Sequence, residues 1–259
     1  MSAVKPARLL PALLLVVVAA CVRGVGPASL LSSPASSLCA PGQAHLLGCS
    51  LSGADLLAVL GFALLRSFAV GVGCTVVCAL IGVALALCAE GLGGRAPEWL
   101  RRVAELVQAV PGFLVALVLL ATTAHPNVWS LAAALCVTGW TPFTRLAIAR
   151  LMSLRAEAFV EAALALGYGR GRTMWVHLAP NLLPVVAVQF GASASAFVLT
   201  ETSLSFLGIG VTDGLSMGAL LDAGVTAMFV APHLLPIAAC SMVLLNLTLL
   251  SLGKAWNHV

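Results

Sequence analysis

The chain has 259 residues, of which 61% are hydrophobic and 8% charged, with a mean hydropathy of +1.09 and a formal net charge of +4. Soluble domains carry about 25% charged residues, so a water-soluble globular domain is excluded and an integral membrane protein is required. The small positive charge follows the loops between apolar runs and forms no nucleic-acid surface.

A membrane helix needs roughly 20 mostly apolar residues, whereas a barrel strand shows about 10 residues of alternating polarity. Residues 67–89 are apolar on every face, which selects helices. The predicted fold is all-α, with six transmembrane helices at 9–25, 67–89, 106–124, 129–144, 182–206 and 233–252, and connections at 26–66, 90–105, 125–128, 145–181 and 207–232. The first span also carries marks of a secretory signal: Lys5 and Arg8, an apolar stretch, and Val18-Ala19-Ala20-Cys21, which resembles a lipoprotein cleavage box. Residues 1–45 read as an anchor helix with an irregular Ser/Pro/Ala/Gly-rich loop, and residues 46–259 as the membrane domain proper.

Lysine and arginine accumulate in short cytoplasmic loops. With both termini inside, eleven of the thirteen basic residues fall on that side: Lys5, Arg8, Arg95, Arg101, Arg102, Arg145, Arg150, Arg155, Arg170, Arg172 and Lys254. Of the eight cysteines, Cys74, Cys78, Cys88, Cys136 and Cys240 lie in predicted spans, where cysteine behaves as a small apolar residue. Cys39 and Cys49 share the long outer loop and form a disulfide if that side is oxidising. No metal-ligand set is complete.

The connection 145–181 is unlike the others. Five arginines must sit in water or at the interface, since each costs about 2.5–3.5 kcal/mol at the bilayer centre. Ala156, Phe159, Val160, Ala163 and Leu166 recur at spacings that predict one face of a short helix. Gly167, Gly169 and Gly171 interrupt it, residues 172–178 form a second short helix, and Pro180 and Pro184 lead into the next span. The expectation is a helix, turn and helix projecting as a knob. Elsewhere, Gly71, Gly73 and Gly82 predict close helix packing, and Pro111 a kink. Glu201, an ionisable residue within a span, is a candidate pathway or interhelix group, as are Gln189 and Asn246.

Within this connection Glu161, Ala162 and Ala163 are followed by Gly167 and Pro180, and His177 precedes Pro180-Asn181. This pattern resembles the membrane subunits of ATP-binding-cassette importers, specifically the second permease of the dipeptide, oligopeptide and nickel systems. Residues 200–210, TETSLSFLGIG, are similar to that family's run ending in Ser-Leu-Ser-Phe-Leu-Gly, and Leu47-Gly48 with Gly53-Ala54-Asp55-Leu56-Leu57 to its opening segment, so residues 46–246 are covered. The resemblance implies a type I importer transmembrane domain in the bacterial inner membrane, with Glu161, Ala162, Ala163, Gly167, His177 and Pro180 in a loop that couples to an ATPase. It also implies a second, paralogous permease subunit, two cytoplasmic ATP-binding subunits and an extracytoplasmic solute-binding protein as partners, beside membrane lipid. The cargo would be peptides, or nickel or a metal chelate. No cofactor is expected on this chain, which would be non-catalytic, with ATP and magnesium on the partners; it has no phosphate-binding loop, and its only lysines are Lys5 and Lys254.

The sequence departs from the family pattern at Cys49-Ser50, Ala54 and Ala179, and in residues 212–218 of the last outer loop. Two rival classes make sharper demands. An intramembrane serine protease would need Ser193 beside His233, within about 2.6–3.2 Å of hydroxyl and base. An ion-coupled secondary carrier would show paired intramembrane charges or inverted repeats, and only Glu201 qualifies.

Overall fold

A computed structural model describes residues 38–43, 45–210 and 216–255. The predicted first span, 9–25, lies outside the described residues, as do residues 212–215 of the outer loop. From Leu56 onward the described chain is built of helices joined by short connections, and each of the five remaining predicted spans contains helix.

Helix α1, Leu56–Leu92, has 37 residues and is therefore about 55 Å long, well beyond a hydrocarbon core of about 30 Å. It starts eleven residues before the predicted span because Asp55 caps it, accepting from the Leu57 N–H at 2.9 Å. It ends where Gly93 turns with φ of +68°. The connection predicted at 90–105 contains a second helix, α2, Ala96–Ala109, which is amphipathic and carries Pro97 in its first turn.

The predicted span 106–124 is not one helix. α2 and α3, Gly112–Ala121, meet at a 66° bend around Pro111, the site of the expected kink. Helix α4, Val128–Gly139, opens on a reciprocal cap between Asn127 and Ser130, and only Trp140 separates it from α5, Thr141–Arg155. Together they form an apolar run of 28 residues, longer than the predicted 129–144. The extension is packed: Phe143, Ala147, Ile148, Leu151 and Leu154 form a buried stripe at helical spacing, with Arg145 and Arg155 exposed on other faces.

After α6, Ala158–Ala165, and the short α7, Arg170–Thr173, the chain enters α8, Leu183–Phe206, through a π turn at Met174–Leu178 and a 3-10 turn at Pro180–Leu182. Helix α9, Met217–Thr226, and α10, Leu234–Ala255, complete the bundle. Among the described residues, four runs are long and apolar enough to cross a membrane, or five if the bent α2–α3 pair counts as one.

Helix α1 is the central post, touched along its length by three hydrophobic clusters. Leu56, Leu60 and Leu64 meet α8, α9 and α10 through Val198, Met217 and Leu245. Val70, Cys74 and Cys78 meet α3, α4 and α8 through Leu120, Leu135 and Phe197. Ala86 and Leu87 meet α5 and the knob through Leu151, Val160 and Leu178. Two of the three glycines read as packing sites are so: a Cβ at Gly71 would lie 2.5 Å from Val198, and one at Gly82 2.6 Å from the Trp140 carbonyl. Gly73 has nothing within 4 Å and faces outward, because the three glycines do not share one face of the helix.

At the end where α1 begins, Cys39 and Cys49 are joined by a disulfide. The loop it closes folds back on α1, with the Leu56 N–H bonded to the Gly48 carbonyl at 3.0 Å and His45 Nδ1 3.3 Å from Asp55.

A candidate docking knob at the basic end of the bundle

Helix α5 stops at Ala156, and a tight turn at Ala156-Glu157 starts α6 in a new direction. On α6, Val160 and Ala163 are buried against the bundle while Glu161 and Ala162 point outward. Two of the three Glu-Ala-Ala residues therefore present a surface, and the third, with Val160, seats it. Of the five residues expected to share one face, Ala156, Phe159 and Leu166 are not buried with Val160 and Ala163: Ala156 still caps α5, Phe159 is exposed in the first turn of α6, and by Leu166 the chain has left α6. Leu166 is 79% exposed.

Gly167 ends α6 with φ of +84°. The Tyr168 N–H reaches back to the Ala163 carbonyl at 3.1 Å, the six-to-one bond of a Schellman cap. No atom lies within 4 Å of the position a Cβ would take at Gly167, so the glycine is demanded by backbone conformation and not by space.

The second half of the knob folds onto the first through aromatic contacts. His177 stands edge-on to Tyr168, with ring centroids 5.9 Å apart, and 6.4 Å from Phe159. The Arg172 guanidinium lies 4.6 Å over the Tyr168 ring. Pro180 has no N–H and its ring crowds the carbonyl four residues back, so the helix widens just before it. The π turn is closed by the Ala179 N–H on the Met174 carbonyl at 2.8 Å, and Asn181 donates to the His177 carbonyl at 2.6 Å. His177 and Pro180 thus hold the knob's shape, while Glu161, Ala162, Leu166, Trp175 and Val176 lie on its outside.

One pair escaped the sequence reading. Glu90, 7% exposed near the end of α1, is ion-paired with Arg155 at the end of α5, immediately before the knob. The pair stands beside a cavity of about 500 Å³ between the Gly93-Gly94 turn and Met174. The available signal was a carboxylate closing an apolar run, but its partner is 65 positions away.

The remaining polar candidates separate. Glu201 is buried between helices, accepting from Ser67 on α1 at 2.9 Å and from Ser205 at 3.2 Å. Asn246 on α10 accepts from Ser195 on α8 at 2.7 Å. Gln189 faces a cavity of about 420 Å³, lined also by Ser193 and Thr200 of α8 and by Gln108 and Thr138 near the breaks between α2 and α3 and between α4 and α5. The structure does not bring Ser193 and His233 together: Ser193 Oγ accepts from Gln189 at 3.0 Å, whereas His233 packs near Gly48 at the disulfide end.

Apolar helices around a central post, with a glycine-terminated helix exposing acidic and apolar side chains at the basic end, define a polytopic membrane protein with a helical knob outside its apolar core. The chain belongs to the family of binding-protein-dependent transport system inner membrane components, whose model matches residues 78–255. It is therefore a multi-pass inner-membrane protein. It is 31% identical over 192 residues to the oligopeptide transport system permease protein OppC of Haemophilus influenzae, covering 74% of this chain and 61% of that protein. It is 30% identical over 207 residues to OppC of Mycobacterium tuberculosis H37Rv, covering 79% and 71%. With the glutathione transport system permease protein GsiD of Pectobacterium atrosepticum it shares 27% identity over 216 residues, covering 82% and 71%.

Proposed function

We propose that this chain is a permease subunit of an ATP-binding-cassette importer for peptides, forming half of the translocation pathway and coupled through residues 158–180 to a separate ATPase. The relatives named for oligopeptide and glutathione transport support the cargo class. The observation that carries the coupling is the knob itself, in which Val160 and Ala163 seat α6 while Glu161, Ala162 and Leu166 face away from the chain. An exposed apolar surface on a rigid, charged element suits a protein partner.

In this reading two cytoplasmic ATP-binding subunits, a second permease and an extracytoplasmic solute-binding protein complete the assembly. ATP and magnesium reside on the ATPases, and this chain performs no chemistry. Closure of the ATPase pair moves the knob, and α5 and α8, continuous with it in the chain, carry the displacement to the cavity beside Gln189. The test is uptake of a labelled oligopeptide in cells expressing the chain with all partners or lacking only the ATPases. Uptake should require the ATPases and vanish with Glu161→Lys while membrane insertion stays normal. Uptake by the chain alone, or unchanged uptake in Glu161→Lys, refutes the proposal.

A further inference from the structure

The outward side of α1 and α2 carries a groove that no part of the transport reading uses. It lies where α1 ends and α2 begins, has a volume of about 530 Å³, and is lined by Leu85, Leu92, Ala96, Trp99 and Leu100, with Arg95 as its one charged lining residue. Leu92 is 81% exposed and Trp99 68% exposed. Tryptophan with one apolar face and a polar N–H concentrates at the level of lipid headgroups.

The outer face of α2 extends this site. Arg95, Trp99, Arg102 and Leu106 follow one another at intervals of four, three and four residues, a single helical face, and all four are exposed. Glu98 and Glu105 lie off that stripe, and Glu105 is held by Arg101 at 3.7 Å. A short amphipathic helix whose exposed face mixes arginine with large apolar side chains lies in a membrane interface plane. The 66° bend to α3 lets α2 take a direction of its own.

We infer that this groove binds an anionic phospholipid, an acyl chain lying along Leu85, Leu92 and Leu100 and the phosphate headgroup held by Arg95 and Arg102 on either side of Trp99. Charge complementarity selects this occupant. Apolar walls offer nothing to a peptide backbone, and Arg95 at the rim with Arg102 further along the same face favours a negative headgroup over a zwitterionic one. The site is continuous with the outward apolar surface of α1, where Leu80 and Ile81 are also exposed.

Trp99 supplies a built-in probe. The full chain, purified with whatever subunits accompany it, is reconstituted into phosphatidylcholine vesicles doped at equal mole fraction with brominated phosphatidylglycerol or brominated phosphatidylcholine. The Trp99 signal is the fluorescence difference between the unaltered protein and Trp99→Phe. The expected result is stronger quenching by the anionic lipid, an enrichment of about fivefold for each arginine engaged, lost in the Arg95→Gln/Arg102→Gln double variant. Equal quenching by both lipids would reduce the groove to ordinary bilayer contact and overturn the inference. Quenching by neither would mean that a protein subunit covers it, and anionic preference persisting in the double variant would remove the arginines from the site; either overturns it as well.

Discussion

Replacing Gly167 separates conformation from packing at the knob. Its φ of +84° lies in the left-handed region, where an L-residue with a Cβ costs roughly 1–2 kcal/mol. The space around it is empty, so side-chain volume adds no clash. Gly167→Ala also stiffens the unfolded chain, worth about 0.4–1 kcal/mol in the opposite sense. The net local destabilisation is therefore about 1 kcal/mol, a roughly fivefold loss in the ratio of capped to uncapped knob. Asparagine tolerates the left-handed region better than alanine, valine worse, and proline, locked near −65°, cannot adopt it. Peptide uptake, and ATPase activity stimulated by the binding protein, should fall in the order Gly, Asn, Ala, Val, Pro, with surface expression unchanged. The larger asparagine outperforming the smaller alanine is the diagnostic outcome. If activity instead tracked side-chain volume, or if Gly167→Val matched the parent, the assignment of Gly167 to a conformational cap would be wrong.

Two further outcomes follow from packing and charge. Gly82→Ala should destabilise the bundle by about 1–3 kcal/mol, because the new methyl meets the Trp140 carbonyl and the Phe143 Cβ at 2.6 and 2.7 Å, whereas Gly73→Ala should be near neutral; thermal unfolding in detergent distinguishes them. Glu90→Gln should cost about 1–2 kcal/mol, less than the 3–5 kcal/mol of a fully buried pair because the Arg155 side chain is 51% exposed, and the loss should appear as earlier proteolysis of the 155–180 segment; an unchanged digestion pattern would sink it.

The membrane class and the knob were legible because both rest on local signals. An 8% charged composition leaves no solvent but lipid for most of the chain, and five arginines within 28 residues cannot stay there. Gly167 and Pro180 act through their own backbone chemistry, so their positions announce a turn and the entry to the next span. Helix limits were less accurate. Uninterrupted apolarity places the start of α1 at residue 67, but Asp55 and buried Leu56, Leu60 and Leu64 carry the helix past Arg66. It likewise ends the fourth span at 144, where arginines begin, although Ile148, Leu151 and Leu154 keep α5 packed to Arg155.

What residue order alone determined is the medium, the helical state and the place where the chain must leave the bilayer, since each depends on a residue's own transfer free energy or torsional freedom. Only tertiary structure decided which apolar faces are buried within the chain and which face outward. Lipid tails are as apolar as leucine, so a membrane helix such as α1 has no polar side to betray its orientation. That is why Gly71 and Gly82 proved to be contacts and Gly73 did not, and why Glu201 found Ser67, Asn246 found Ser195 and Glu90 found Arg155. Those pairings join residues 51 to 134 positions apart, and no periodicity within a single helix encodes its neighbour.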